Sequence, residues 1–399
     1  MSHEVLLGVL AAFIAYSLLS RRVEQTVITL PMIFMVLGYL LSEPLHAGAD
    51  PELLHSGKRL LAEVTLVLVL FTDACHVRFA QLRSHWQLPT RMLLVGMPLT
   101  IALGTLFAYW LNPASGLAVS LLTAAVLTPT DAALGQTVVS SPDVPTRLSQ
   151  TINIESGLND GLALPFVLLG AILASAGFQA TDSGAEHLAA EILLQLALGP
   201  LVGVALGWGL AKAMDWAEDR DAMAEPAAGV VFISAAFIAF VLAEVVGGNG
   251  FIAAFVAGMV FGNTYRHDIH FITEFMEGAG QLLTMSSFLI FGAFLLPDGL
   301  THMTWQSIVL ALLMLTIVRM LPIYLSLTGT GLASREKLFL GWFGPRGLAS
   351  ILFTLIMMDE FEFPREEELL ACVSMTVMFS IVLHGLSATP LAKRISTNP

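Results

Sequence analysis

Apolar runs of about 20 residues, the length that crosses a hydrocarbon core of ~30 Å, recur along this whole chain. Inside such a core no water reaches the backbone, and helices are the form that satisfies its polar groups within each run. Polar punctuation divides the runs into thirteen predicted helices, at 4–20, 26–43, 59–77, 92–111, 115–139, 149–177, 187–213, 225–246, 251–264, 270–296, 303–327, 337–358 and 368–391. Only Gly247-Gly248-Asn249-Gly250 separates the eighth from the ninth, and fusing them would change the parity of the count. The predicted fold class is an all-α polytopic membrane protein, with residues 1–399 forming a single integral membrane unit in the lipid bilayer and no soluble domain. A water-soluble alternative fails on composition: 56% hydrophobic and 12% charged residues leave too few charges to cover a body of this size.

The basic residues orient the chain, because Lys and Arg are retained on the cytoplasmic side. With the N-terminus outside and the C-terminus cytoplasmic, 13 of the 18 Lys and Arg fall on cytoplasmic loops and helix ends, and Lys58, Arg59 and Arg365 fall outside. Arg319 and Arg346 lie within helices. The first apolar run has no basic leader and no small-residue cleavage site, so it reads as a retained helix of an inner-membrane protein. The net charge of −13, without any basic cluster, argues against nucleic acid as a partner. Asp359-Glu360-Phe361-Glu362 and Glu366-Glu367-Glu368 read as solvated loop charge, with a weak cation-attracting vestibule as the other reading. Cys75 and Cys372 give no metal spacing and no disulfide framework, and no cofactor is predicted.

A charge inside a span costs at least ~2.5 kcal/mol on insertion scales, so each one needs a partner or a function. The deep candidates are Asp73, Asp131, Glu155, Asp160, Arg319 and Arg346, with Glu63, His76, Glu244 and His384 nearer the ends. The richest segment is Asn153-Ile154-Glu155-Ser156-Gly157-Leu158-Asn159-Asp160-Gly161 in the sixth helix. At about 100° per residue, Glu155, Ser156, Asn159 and Asp160 share a sector of about 140°, with Gly157 and Gly161 opposite. The glycine face admits a close neighbouring helix, and the polar face looks onto a cavity or a partner. Glu155 lies about six residues into its helix and Arg319 about eight from the cytoplasmic end of the eleventh, so the two sit at similar depth. Pairing with Arg319 would keep Glu155 charged and structural, leaving Asp160 free to titrate; a direct ion role for Glu155 is the other reading. Arg346 lies midway along the twelfth helix, where it balances helix ends or Asp131.

Two helices carry Pro/Gly interruptions, Thr128-Pro129-Thr130-Asp131 near 115–139 and Gly344-Pro345-Arg346-Gly347 near 337–358. Pro129 has no N–H to give its helix, and the break exposes backbone carbonyls, that of Thr130 among them, near the Asp131 carboxylate; carbonyl, hydroxyl and carboxylate oxygens are what a hard cation prefers. Interruptions at matching places in two halves point to a secondary transporter of inverted repeats with a midplane site.

Glu155-Ser156-x-x-Asn159-Asp160, the Thr130-Asp131 interruption, Arg319 and Arg346-Gly347 together resemble the NhaP-type sodium/proton antiporters of the monovalent cation/proton antiporter family, over essentially the whole chain. The resemblance implies thirteen helices, a mobile core domain beside a dimerisation domain, a homodimer and an elevator-like movement. It also implies that Asp160 binds sodium or a proton, with Ser156, the Thr130 carbonyl, Asp131 and Asp73 near it, and that Asn159 orients the site with Glu155 and Arg319. This chain differs from that pattern at Asp73, where glutamate is common, and at Ala132, where proline is common.

A buried carboxylate for which proton and cation compete is an antiport site. With Asn159 beside Asp160, and no second aspartate, each turnover carries one proton against one monovalent cation, an electroneutral exchange of sodium, or of lithium, serving pH homeostasis. A potassium/proton exchanger would share every motif named. An ion channel would need a continuous selectivity filter, and none is present in the sequence. An enzyme reading fails because Ser156 has no histidine near it in sequence and no His-Glu-x-x-His occurs.

Overall fold

The computed structural model describes residues 3–23, 26–47, 51–77, 86–131, 134–135, 138, 141–179, 185–267 and 270–396, and every regular element among them is helical. Helices α1 (His3–Val23), α2 (Leu30–Leu40), α3 (Ser42–Ala47) and α4 (Pro51–His76) come first. A short α5 (Gln87–Arg91) runs through a π turn, Met92–Gly96, into α6 (Met97–Leu111), and a 3-10 turn, Pro113–Ser115, leads to α7 (Gly116–Val126). Then follow α8 (Thr146–Gln179), α9 (Ala185–Glu218), α10 (Glu225–Val245) and α11 (Gly250–Thr264). The chain continues through α12 (His270–Ile290), a second π turn at Phe291–Leu295, α13 (Leu296–Thr301), α14 (Trp305–Leu315) and α15 (Ile317–Ser326). It ends with α16 (Ser334–Trp342), α17 (Leu348–Glu360) and α18 (Glu366–Ser396).

Eight helices among the described residues are long and apolar enough to cross a membrane, and Leu30–Leu40, Pro113–Val126 and Gly250–Thr264 are shorter apolar helices. The segment predicted at 59–77 sits in α4, whose helix begins at Pro51, and 337–358 is divided between α16 and α17. Length and hydropathy alone therefore return fewer full spans than the predicted thirteen.

Local chemistry explains several boundaries. Gly247 turns the chain at φ +81, and Asn249 caps α11 by accepting from the Ile252 amide at 3.0 Å, so α10 and α11 are separate helices. Thr304 and Ser307 form a reciprocal capping box at the start of α14. The predicted 303–327 helix breaks at Thr316, whose backbone leaves the helical region at φ −115, ψ −97. Its hydroxyl donates to the Leu312 carbonyl at 2.6 Å, a back-bond that bends helices. The break places Arg319 in the first turn of α15, buried in the protein.

Small residues let α11 lie directly on α4. A Cβ on Gly258 would meet the backbone of Phe71, and one on Gly262 the backbone of Cys75, while Phe71, Phe232 and Phe261 fill the space beside them, with centroids of 4.8 Å and 5.7 Å for the two edge-on pairs. That contact fixes the height of Asp73, two residues beyond Phe71 on α4. The acidic loop residues are not all solvated as the sequence reading has it. Asp359 is held by Arg59 at 2.6 Å and His55 at 3.3 Å, and Glu368 accepts from Asn112, Ser115 and Arg365. Both are ties between helix ends. Ala132 lies outside the described residues.

Gly258→Val should therefore cost about 2 kcal/mol of stability, because α4 cannot move aside without opening its aromatic packing. A lower melting temperature of the detergent-solubilised protein is the expected result, and an unchanged one would refute the close approach.

Candidate functional site

The two interruptions meet. Residues 127–131 leave the helix after α7, and residues 343–347 run unwound between α16 and α17. The Asp131 amide donates to the Pro345 carbonyl at 2.8 Å, and the Leu348 amide, first in α17, donates to Asp131 Oδ2 at 2.8 Å. Arg346 Nη1 donates to the Pro129 carbonyl at 3.1 Å, and Ser350 Oγ to the Val126 carbonyl at 2.8 Å. A helix start carries partial positive charge and a helix end partial negative charge. Asp131 thus sits at the positive end of α17, and Arg346 covers the negative end of α7. Gly347 is needed at the crossing, since a Cβ there would collide with the Asp131 carboxylate.

Of the two alternatives for Arg346, the Nη1 contact favours the helix end: its acceptor is the Pro129 carbonyl of the other interruption, just past α7. Its Nε and Nη2 have no hydrogen-bond partner among the described residues, although the side chain is fully buried. Asp131 gives one oxygen to the α17 amide, so its first duty in this structure is to cap that helix.

Next to the crossing, α8 presents its polar face. Arg319 Nη1 and Nη2 donate to Glu155 Oε1 and Oε2 at 2.8 Å and 3.0 Å, a two-pronged pair with both side chains 1% exposed. Thr130 Oγ1 lies 3.2 Å from Glu155 Oε2 and 3.0 Å from Ser156 Oγ, and the Asn159 amide donates to Thr130 Oγ1 and, at 3.4 Å, to Glu155 Oε1. These contacts have one consistent direction. Arg319, Asn159 and Thr130 all point donors toward Glu155, and Ser156 completes the set by donating to Thr130. On the α8 face two acceptors are left over, since Asn159 Oδ1 and Asp160 Oδ1 are buried without a hydrogen-bond partner among the described residues, as is Arg319 Nε beyond the Glu155 pair.

Asp160 is 8% exposed and Ser156 2%. Asp73 is half-buried on α4, and Gly157 faces the turn that carries it, with the position of a Cβ there 3.6 Å from the Asp73 carbonyl. Asp73, Asp131 and Glu155 all act electrostatically on Asp160. Thr130, Asp131, Glu155, Ser156, Asn159, Asp160, Arg319, Arg346 and Asp73 are therefore gathered in one region, with Thr130 joining through its hydroxyl. Ser350 and Ser380, which serve the crossing, carried no signal in the sequence, since a lone serine in an apolar run is ordinary. A cleft of about 460 Å³ lies elsewhere, among Asn112, Ser115, Thr123, His302 and Glu368, and its lining does not include Asp160.

Residues 9–394 match the family described as "Sodium/hydrogen exchanger, transmembrane". The chain is 26% identical over 378 residues to the K(+)/H(+) antiporter NhaP2 of Shewanella oneidensis, an alignment covering 94% of this chain and 64% of that relative. It is 27% identical over 371 residues to a probable Na(+)/H(+) antiporter of Schizosaccharomyces pombe, covering 84% of this chain and 49% of the relative. The chain spans just under two thirds of the length of the Shewanella relatives it matches. The solved structure of the sodium proton antiporter MjNhaP1 from Methanocaldococcus jannaschii at pH 8 superposes with a TM-score of 0.80 at 19% identity, over 98% of both chains. That likeness establishes the fold.

Removing one partner of a buried ion pair strands the other, at about 3–5 kcal/mol. Arg319→Met alone should lower the melting temperature in detergent strongly, and the double variant Glu155→Gln, Arg319→Met should regain much of the loss. Equal destabilisation by the single and the double variant would contradict the pairing.

Proposed function

The chain belongs to the transmembrane sodium/hydrogen exchanger family, and from that premise we propose that it exchanges a monovalent cation for a proton at Asp160. The observation that carries the reading is the set of leftover acceptors. A buried carboxylate oxygen and a buried amide oxygen, without donors among the described residues, lie on the α8 face that holds the Ser156 hydroxyl and meets that of Thr130. Both hydroxyl hydrogens are taken up elsewhere, that of Thr130 by Glu155 and that of Ser156 by Thr130. Such a set suits a bare cation, and the same carboxylate can take a proton instead; the two compete for one group. Competition at a single site couples the two movements.

Sodium is the proposed cation. Asp160 and Asp131 hold the charge, with oxygens from Thr130 and Ser156 as ligands and Asp73 approaching from α4. Asn159 is a neutral organiser, and Glu155, paired with Arg319, is a structural acceptor. One proton then leaves for each cation bound, and transport is electroneutral. The name of the Shewanella relative favours a second reading, potassium/proton exchange on the same residues.

Alternating exposure follows an elevator-like course in this proposal, the body holding α8 and the crossed helices moving against that holding α4. The protein is a homodimer of the inner membrane, N-terminus outside and C-terminus cytoplasmic. The distribution of Lys and Arg supports that orientation, and the apolar side chains α1 exposes, Leu7, Ile14 and Leu18 among them, suit a face against lipid or a second copy.

In proteoliposomes, sodium should drive proton flux through the wild type, and Asp160→Asn should reduce it to the level of empty vesicles. Potassium and lithium added in turn identify the cation. Wild-type exchange by Asp160→Asn would overturn the site assignment. An imposed membrane potential should leave the rate unchanged, and a substantial, repeatable response to it would overturn the electroneutral stoichiometry.

A further inference from the structure

His384 lies on α18, 1% exposed, outside the proposed ion site. Its Nε2 lies 2.9 Å from the Trp342 carbonyl, the last carbonyl of α16 before the chain unwinds. With the hydrogen on Nε2, the ring donates to that carbonyl. In the neutral ring Nδ1 is then the acceptor. Nδ1 lies 3.0 Å from the Ser380 carbonyl and 3.2 Å from Ser380 Oγ, and Ser380 Oγ accepts from the Arg346 amide at 2.6 Å. With its lone pair on the Arg346 amide, the Ser380 hydroxyl gives its hydrogen to Nδ1. In this tautomer the donors run from the Arg346 amide to Ser380, from Ser380 to His384 and from His384 to Trp342, and in either tautomer His384 lies within hydrogen-bond distance of both Ser380 and Trp342.

The same helix holds Trp342 by its side chain. Trp342 Nε1 donates to Ser387 Oγ at 2.9 Å, and the indole and imidazole rings lie 5.0 Å apart. So α18 grips both ends of the unwound stretch, at Trp342 and at Arg346. Inside that stretch Pro345 accepts from the Asp131 amide, and just beyond it the Leu348 amide meets the Asp131 carboxylate.

We infer that His384 is a positioning residue: with Ser380 it fixes the unwound link between α16 and α17, and through that link the placement of Asp131 and Thr130 at the cation site. The inference rests on the cation/proton reading of Asp160. An unwound segment has no ladder of its own to set its shape, and the contacts from α18 supply what the helix would have supplied. Loosening them displaces the Asp131 end of the site and weakens cation binding. A residue that only held the fold together would reduce the amount of intact protein and leave the affinity of what remained unchanged.

The test is sodium-driven proton flux by the full chain in proteoliposomes, with the apparent KM for sodium and kcat measured separately. His384→Phe keeps a ring of similar size and loses both hydrogen bonds; Ser380→Ala breaks the same chain one link earlier. Each should raise the sodium KM about five-fold, the effect of one lost buried hydrogen bond, with a smaller change in kcat. The double variant should do no worse than the worse single one, because both act on one chain. His384→Gln, which restores a donor near the Nε2 position, should recover most of the affinity. Should His384→Phe fail to accumulate, Ser380→Ala decides alone. An unchanged KM in the variants that fold, or additive effects in the double variant, overturns the inference while leaving the ion site standing. An active Asp160→Asn variant removes the ion site itself, and this inference with it.

Discussion

The hydrogen bond from the Leu348 amide to Asp131 Oδ2 joins two helices that both stop inside the protein, and most of the site follows from it. Each interruption bares backbone groups where no water can satisfy them. The structure satisfies one with the other: the α17 start takes a carboxylate from the first interruption, and the α7 end takes a guanidinium from the second. A crossing built in this way brings a carboxylate, a hydroxyl and freed carbonyls to one place. It also has no stiffness of its own, so neighbouring helices must hold it.

Holding it falls to α8 and α15 on one side and to α18 on another. The pairing of Glu155 with Arg319 does not in itself add much stability, since two charges lose their hydration in forming it. Its value lies in direction. The buried acceptor at Glu155 draws in the donors of Thr130 and Asn159, and this leaves Asn159 Oδ1 and Asp160 Oδ1 without a donor among the described residues. The break at Thr316 matters for the same reason, because it starts the short helix that carries Arg319.

Much of this is legible in the amino-acid sequence. Equal depth along two apolar runs suggested that Glu155 and Arg319 could neutralise each other, and the Pro129 and Pro345 segments marked where helices stop. The four polar residues of α8 share a face because helical spacing requires it. Other features were hidden for physical reasons. Arg346 answers to a backbone carbonyl, and a carbonyl has no sequence signature. The Thr316 break lies in an unbroken apolar run where threonine is ordinary. Asp359 and Glu368 looked solvated because their partners, Arg59, Asn112 and Ser115, are remote in sequence and meet them only when the helices are assembled.

The central claim is that one carboxylate, Asp160, holds the proton and the cation in turn. Proton release on cation binding tests it most directly: purified protein in weakly buffered detergent solution, titrated with sodium, potassium or lithium while the pH is followed. Wild type should release about one proton per protein as the transported cation saturates the site, and Asp160→Asn none. Stoichiometric release from Asp160→Asn, or saturable cation binding by wild type without any release, would contradict the account.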